Sequence, residues 1–138
     1  MLPGMRLIIS LIVVASFAVV AGGCRPDNRP AYVAPTLPPE QIVTLKSNKG
    51  VFVDGIDGAK VKHSGVTFMG IVGGNTVTLA PGEHAIDAEI NTSNFHKGTS
   101  FRYTFDPGTT YEMGPNNVIF PSGVEITNTR TGVKTEIN

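Results

Sequence analysis

A chain of 138 residues with sixteen glycines, ten prolines and no tryptophan has room for one domain once its ends are set aside. A domain near 100 residues buries a core without help from metals or disulfides. The formal net charge is zero and the eleven basic residues are scattered, which removes the electrostatic ground for a nucleic-acid partner.

Arg6 precedes an uncharged run from Leu7 to Ala21, and Gly22-Gly23-Cys24 follows it. A positive start, an apolar stretch and small residues before a cut site are the three parts of a secretory signal. Cys24 is the single cysteine of the chain, so it is either a free thiol or used chemically. The ending Ala21-Gly22-Gly23-Cys24 resembles the lipobox of bacterial lipoproteins. That resemblance implies that Cys24 is acylated, becomes the first residue of the mature protein and anchors it to the membrane. The apolar run is short for a bilayer span of about 20 residues, which weighs against a transmembrane anchor. Residues 1–23 are thus expected to be a lipoprotein signal peptide, with Met5 an alternative start to Met1. Arg25 after the cysteine matches the sorting rule of enteric lipoproteins bound for the outer membrane, so the expected location is that membrane, facing the periplasm.

Residues 24–40 hold five prolines, at 26, 30, 35, 38 and 39, and few large apolar side chains. Such a stretch predicts an extended tether. Tyr32 and Val33 are expected to be solvated there.

From residue 41 to 138 the pattern is that of strands. Ile42 to Lys46 and Val51 to Val53 are the first two, and the Asp54-Gly55-Ile56-Asp57-Gly58 run after them predicts hairpin turns. A calcium loop on Asp54 and Asp57 fails for want of further oxygen ligands, with Lys60 and Lys62 intruding. Glycine-rich Gly70 to Asn75 has no Gly-Lys-Ser/Thr ending and predicts a turn or bulge rather than a phosphate loop. Thr76 to Asn91 reads as strand, tight turn at Ala80-Pro81-Gly82, and strand. His84, Ile86, Ala88 and Ile90 alternate with Glu83, Ala85, Asp87 and Glu89, the period of a strand with one wet face. Phe101, Tyr103 and Phe105 predict a second inner face, Asp106-Pro107-Gly108 a turn, and Tyr111 and Met113 the answering strand. Val118 to Phe120, Val124 to Ile126 and Val133 to Ile137 complete eight or nine short strands. The fold class predicted is all-β, an antiparallel sandwich or small barrel.

Val53-Asp54-Gly55, Leu79, Pro81-Gly82-Glu83-His84 and Ile86, and a second Pro-Gly with Tyr111, resemble the small surface-layer domains named for a Pro-Glu-Gly-Ala motif. The resemblance implies a transthyretin-like or prealbumin-like β-sandwich and brings no catalytic residues; an immunoglobulin-like sandwich is the alternative fold.

Candidate chemistry is sparse. His63, His84 and His96 stand 21 and 12 residues apart without His-x-His or His-x-x-x-His spacing, so no metal site and no cofactor is expected. His84, on the apolar side of its strand, is expected to meet a backbone carbonyl. No Gly-x-Ser-x-Gly occurs, and Ser64-Gly65 and Ser122-Gly123 read as turns. Asp87 and Glu89 read as solvated face. The expected function is therefore non-enzymatic: a membrane-tethered envelope lipoprotein that binds another envelope protein or supports an assembly. The alternative is a carbohydrate or peptidoglycan binder stacking sugars on Phe95, Tyr103 or Tyr111.

Overall fold

The computed structural model describes residues 26–63, 67–68, 71–92, 95–117 and 119–138. The predicted signal, Cys24, Arg25, Ser64-Gly65 and Val118 lie outside the described residues. The strands are β1 (Val43–Ser47), β2 (Val51–Ile56), β3 (Ala59–Lys60), β4 (Thr67–Phe68), β5 (Ile71–Val72) and β6 (Thr76–Leu79). They continue with β7 (Gly82–Thr92), β8 (Phe95–Phe105), β9 (Thr110–Pro115), β10 (Val124–Asn128) and β11 (Lys134–Ile137). One sheet runs β11-β10-β9-β1-β6, a second runs β3-β2-β7-β8, and β4 pairs with β5 alone.

The two larger sheets pack face to face around Val43, Leu45, Val53, Leu79, Ile86, Ile90, Phe105, Tyr111, Met113 and Ile126. The all-β sandwich predicted from the alternation is the observed architecture. Among the described residues its strands pair antiparallel with one exception: β1 runs parallel to β9, from Thr44 beside Thr110 to Ser47 beside Met113. Both strands carry β-branched or large apolar residues at alternate positions, and Val43, Leu45, Tyr111 and Met113 all point into the core.

The local periodicity holds where it is strongest. Ile86, Ala88 and Ile90 are buried on β7 while Glu83 is exposed. On β8, Phe101, Tyr103 and Phe105 face the core and Arg102 and Thr104 face solvent. Tyr103, Phe105 and Tyr111 form one cluster with ring centroids 4.8 to 5.8 Å apart, within the range where edge-to-face packing adds to burial.

The turns differ from expectation. Thr76 to Asn91 is not a hairpin within one sheet: β6 pairs with β1, whereas β7 pairs with β2 and β8. Ala80-Pro81-Gly82 is a corner that carries the chain from one sheet to the other. Proline brings no N–H for a ladder, and Gly82 sits at φ 108°, a region that favours glycine. Asp106-Pro107-Gly108 is a corner in the opposite direction, since β9 pairs with β10 and β1 rather than with β8. Alternation marks a wet face and a dry face; it is blind to which sheet supplies the partner. Asp57-Gly58, with φ of 50° and 79°, does close the β2–β3 hairpin. The earlier Asp54-Gly55 does not turn at all. It forms a bulge within β2 opposite β7, the usual way a strand re-aims one side chain.

Two further predictions are corrected. Ile119 and Phe120 form no strand; they project from the loop between β9 and β10, 76% and 82% exposed. The proline-rich segment is not wholly a free tether. Ala31 bridges to Lys60, and Tyr32 packs against the core and donates its hydroxyl hydrogen bond to the Thr78 carbonyl at 2.7 Å.

Candidate functional site

The outer face of the four-stranded sheet carries a cluster of ionisable side chains. Arg29 sits at its centre. Its guanidinium donates to Asp27 on its own segment, to Asp54 on the β2 bulge at 2.8 Å, and to Asp87 on β7 at 3.4 Å. It can lie there because Gly55 is bare: a Cβ at that position would stand 2.7 Å from Asp87 Oδ2 and 2.8 Å from Arg29 Nη1. Lys60 adds a second cation to Asp27 at 3.1 Å. Hydrogen bonds from Arg29, then from Lys60, hold the Asp27 carboxyl well below the usual carboxylate range, and the same Asp27 and Asp54 contacts raise the Arg29 guanidinium further. Asp87, expected to be merely solvated, also accepts from the Ser100 hydroxyl at 2.6 Å.

Of the three histidines, His84 behaves as its strand position predicts. Its Nε2 meets the Ala80 carbonyl at 2.8 Å and its Nδ1 meets Asp57. Asp57 also accepts from the Ala85 N–H at 2.8 Å. Burial pushes the Asp57 carboxyl up, but the His84 and Ala85 hydrogen bonds outweigh it and the net shift is downward. This pair pins the β2–β3 turn to the start of β7 and leaves His84 no free nitrogen. His63 and His96 instead lie on the charged face, His63 beside Asp54 and His96 beside Glu89. No pattern in the sequence joins these residues; the pairing of β2, β7 and β8 brings them together.

A second feature is the tip of the β9–β10 loop. Asn116 organises it: its side-chain oxygen accepts from the Ser122 and Gly123 N–H groups, both at 3.1 Å, and its amide donates to Ser122 Oγ and Asn138 Oδ1, both at 2.9 Å. Asn117 Oδ1 accepts from the Ile119 and Phe120 N–H groups. Lys97 fastens the base by donating to the Ser122 carbonyl at 2.9 Å. A loop with four backbone N–H groups so bonded holds Ile119 and Phe120 out in water by construction. The mechanism available to sequence reasoning was the Asn-Asn pair before them, since asparagine side chains capture nearby backbone N–H groups.

The aromatic side chains considered for sugar stacking are mostly spent in packing. Tyr111 is 1% exposed and accepts from the Asp106 N–H at 2.9 Å, with burial raising its phenol above the ordinary value. Tyr103 and Phe95 are half-buried against the core. Ser122 serves the loop network rather than any nucleophilic pairing. Among the described residues no helix is long and apolar enough to cross a membrane.

Comparison of the chain with protein-family models, with curated proteins and with solved structures gives no match.

Proposed function

We propose that the chain is a non-enzymatic lipoprotein of the bacterial envelope, acylated at Cys24, whose sandwich captures another envelope protein through the Ile119–Phe120 tip. The lipobox-like ending at Cys24 supports the anchor and, with Arg25, an outer-membrane location facing the periplasm. The observation that carries the binding role is the tip itself. Two adjacent large hydrophobics, 76% and 82% exposed, cost solubility, and the surrounding amide network commits several side chains to keeping them presented. A preorganised apolar anchor of this kind loses little entropy when it enters a partner's pocket. The Pro-Glu-Gly-Ala resemblance implies a β-sandwich and brings no chemistry of its own to add.

The test is photo-crosslinking in intact cells, with the photoreactive residue at position 120 and, as control, at Thr104 on the exposed side of β8. One stoichiometric protein adduct from position 120 and none from 104 is the expected result. Adducts to lipid alone, or equal labelling from both positions, overturn the protein-binding role. Palmitate labelling of the wild type, lost in Cys24→Ala together with membrane attachment, tests the anchor separately.

A further inference from the structure

We infer that Asp54, His63 and Glu89 form a site for a divalent transition-metal cation of the zinc type. Asp54 is turned outward by the β2 bulge, Glu89 stands on β7 opposite Phe52, and His63 follows β3. One potential ligand atom of each lies within 4.8 Å of the other two. The imidazole is positioned by packing: it stacks on Phe52 with ring centroids 5.0 Å apart and planes 21° from parallel. Among the described residues its buried Nδ1 has no hydrogen-bond partner, and its Nε2 stands 3.5 Å from Asp54 Oδ1.

That separation decides between two readings. A charge-assisted N–H to carboxylate bond closes to about 2.7–2.9 Å, so the His63–Asp54 contact is too long to be one. Two donors on a common tetrahedral ion, each about 2.1 Å from it, stand roughly 3.4 Å apart. The pair is therefore spaced as neighbouring ligands, and rotation of the long Glu89 side chain brings in a third. Asp54 has the necessary oxygen available, because Arg29 takes Oδ2 and leaves Oδ1. The Arg29 contact then fixes the carboxylate as an outer partner does in metal sites.

The local charge also suits a cation. Asp27, Asp54, Asp87 and Glu89 give four carboxylates against three bases, Arg29, Lys60 and Lys62, an excess of one negative charge (four minus three). Arg29 and Lys60 are already paired with these acids. An open cleft of about 500 Å³ lined by Asp54, Lys60, His63 and Glu89 leads to the three side chains. His96, whose Nδ1 is 3.5 Å from Glu89 Oε1 and whose side chain is 68% exposed, supplies a fourth donor by rotation; otherwise water does. One imidazole with two carboxylates selects a borderline metal over calcium, which takes oxygen ligands throughout.

Calorimetric titration of zinc into the full chain, purified in detergent and stripped with chelator, tests the site, and cobalt in place of zinc reports its geometry by visible absorption. The expected result is one metal per chain, bound at least about tenfold more weakly by His63→Ala and by Glu89→Gln and unchanged by His84→Ala. Because removing the His63 ring uncovers Phe52, Glu89→Gln is the decisive variant should His63→Ala unfold. A wild type that binds no zinc and shows no cobalt bands, or binding that survives Glu89→Gln undiminished, overturns the site.

Discussion

The segment at residues 29–32 and the loop at 116–123 solve opposite problems on the same sandwich. The first lies in the proline-rich stretch and carries few apolar groups, yet it half-buries its aromatic side chain: Tyr32 lies against the core and reaches the Thr78 carbonyl. The second contains Ile119 and Phe120 and leaves both in water. What separates them is the chemistry of their fastenings. Arg29 and Asp27 hold the first with ions, seated on the bare backbone at Gly55. Asn116 and Asn117 hold the second with neutral amides that take the Ile119, Phe120, Ser122 and Gly123 N–H groups. Hydrophobicity of a short segment therefore does not decide its burial; the polar residues beside it do.

The largest expected consequence of this contrast is in stability. Tyr32→Ala removes a half-buried ring and a hydrogen bond and should destabilise the sandwich by about 1–2 kcal/mol. Phe120→Ser should change it by less than about 0.5 kcal/mol, as for exposed sites generally. Denaturant unfolding of the two variants side by side measures the difference, and equal losses would break the comparison. Next comes Gly55→Ala. Its Cβ would stand 2.7 Å from Asp87 Oδ2 and 2.8 Å from Arg29 Nη1, so Arg29 must leave its seat, at a cost of about 1 kcal/mol for partly exposed ion pairs. The readout is faster amide exchange at Tyr32 and Lys60, whose N–H groups bond Lys60 and Pro30 carbonyls, with no change at Ser122. Asn116→Ala should give the reverse pattern, loosening Ser122 and Gly123 and leaving Tyr32 protected.

Much of the sandwich was legible because strand period is a local property. The alternation from His84 to Ile90 and from Phe101 to Phe105 names the buried face correctly without knowledge of any partner. The corners were not legible: a strand leaving Ala80-Pro81-Gly82 shows the same alternation whether it returns to its own sheet or crosses to the other. Tyr32 was missed for a different reason. Its segment is seated where Arg29 reaches Asp54 beside the bare Gly55, and the Asp-Gly pair that makes the seat looks like a turn. Val118 to Phe120 has strand-like composition, and Asn117 captures the Ile119 and Phe120 N–H groups that a ladder would use. The grouping of Asp54, His63 and Glu89 is set by β2–β7 pairing and by the bulge, neither of which leaves a spacing in the chain.

The smallest expected effect is the sharpest test of ions against amides, and it uses acid. Asp27 titrates well below the ordinary range because Arg29 and Lys60 hydrogen-bond its charged form. A carboxyl depressed in the folded state lends its stabilisation fully above the unfolded value, about 3.9, and loses it as pH falls through the lower folded value. The sign is thus fixed: the 29–32 segment should loosen on acidification below about pH 4, and not on raising the pH. The Asn116 network binds no proton in that window and should not respond. Amide chemical shifts followed on acidification report both regions in one sample. Tyr32 and Lys60 should drift toward unstructured values while Ser122 and Gly123 stay fixed until the sandwich unfolds as a whole. In Asp27→Asn the Tyr32 drift should already be partly present at neutral pH and the remaining acid response smaller. If the two regions move together in the wild type, the loop and the strap share one fastening, and the distinction between ionic burial and amide-supported display does not hold.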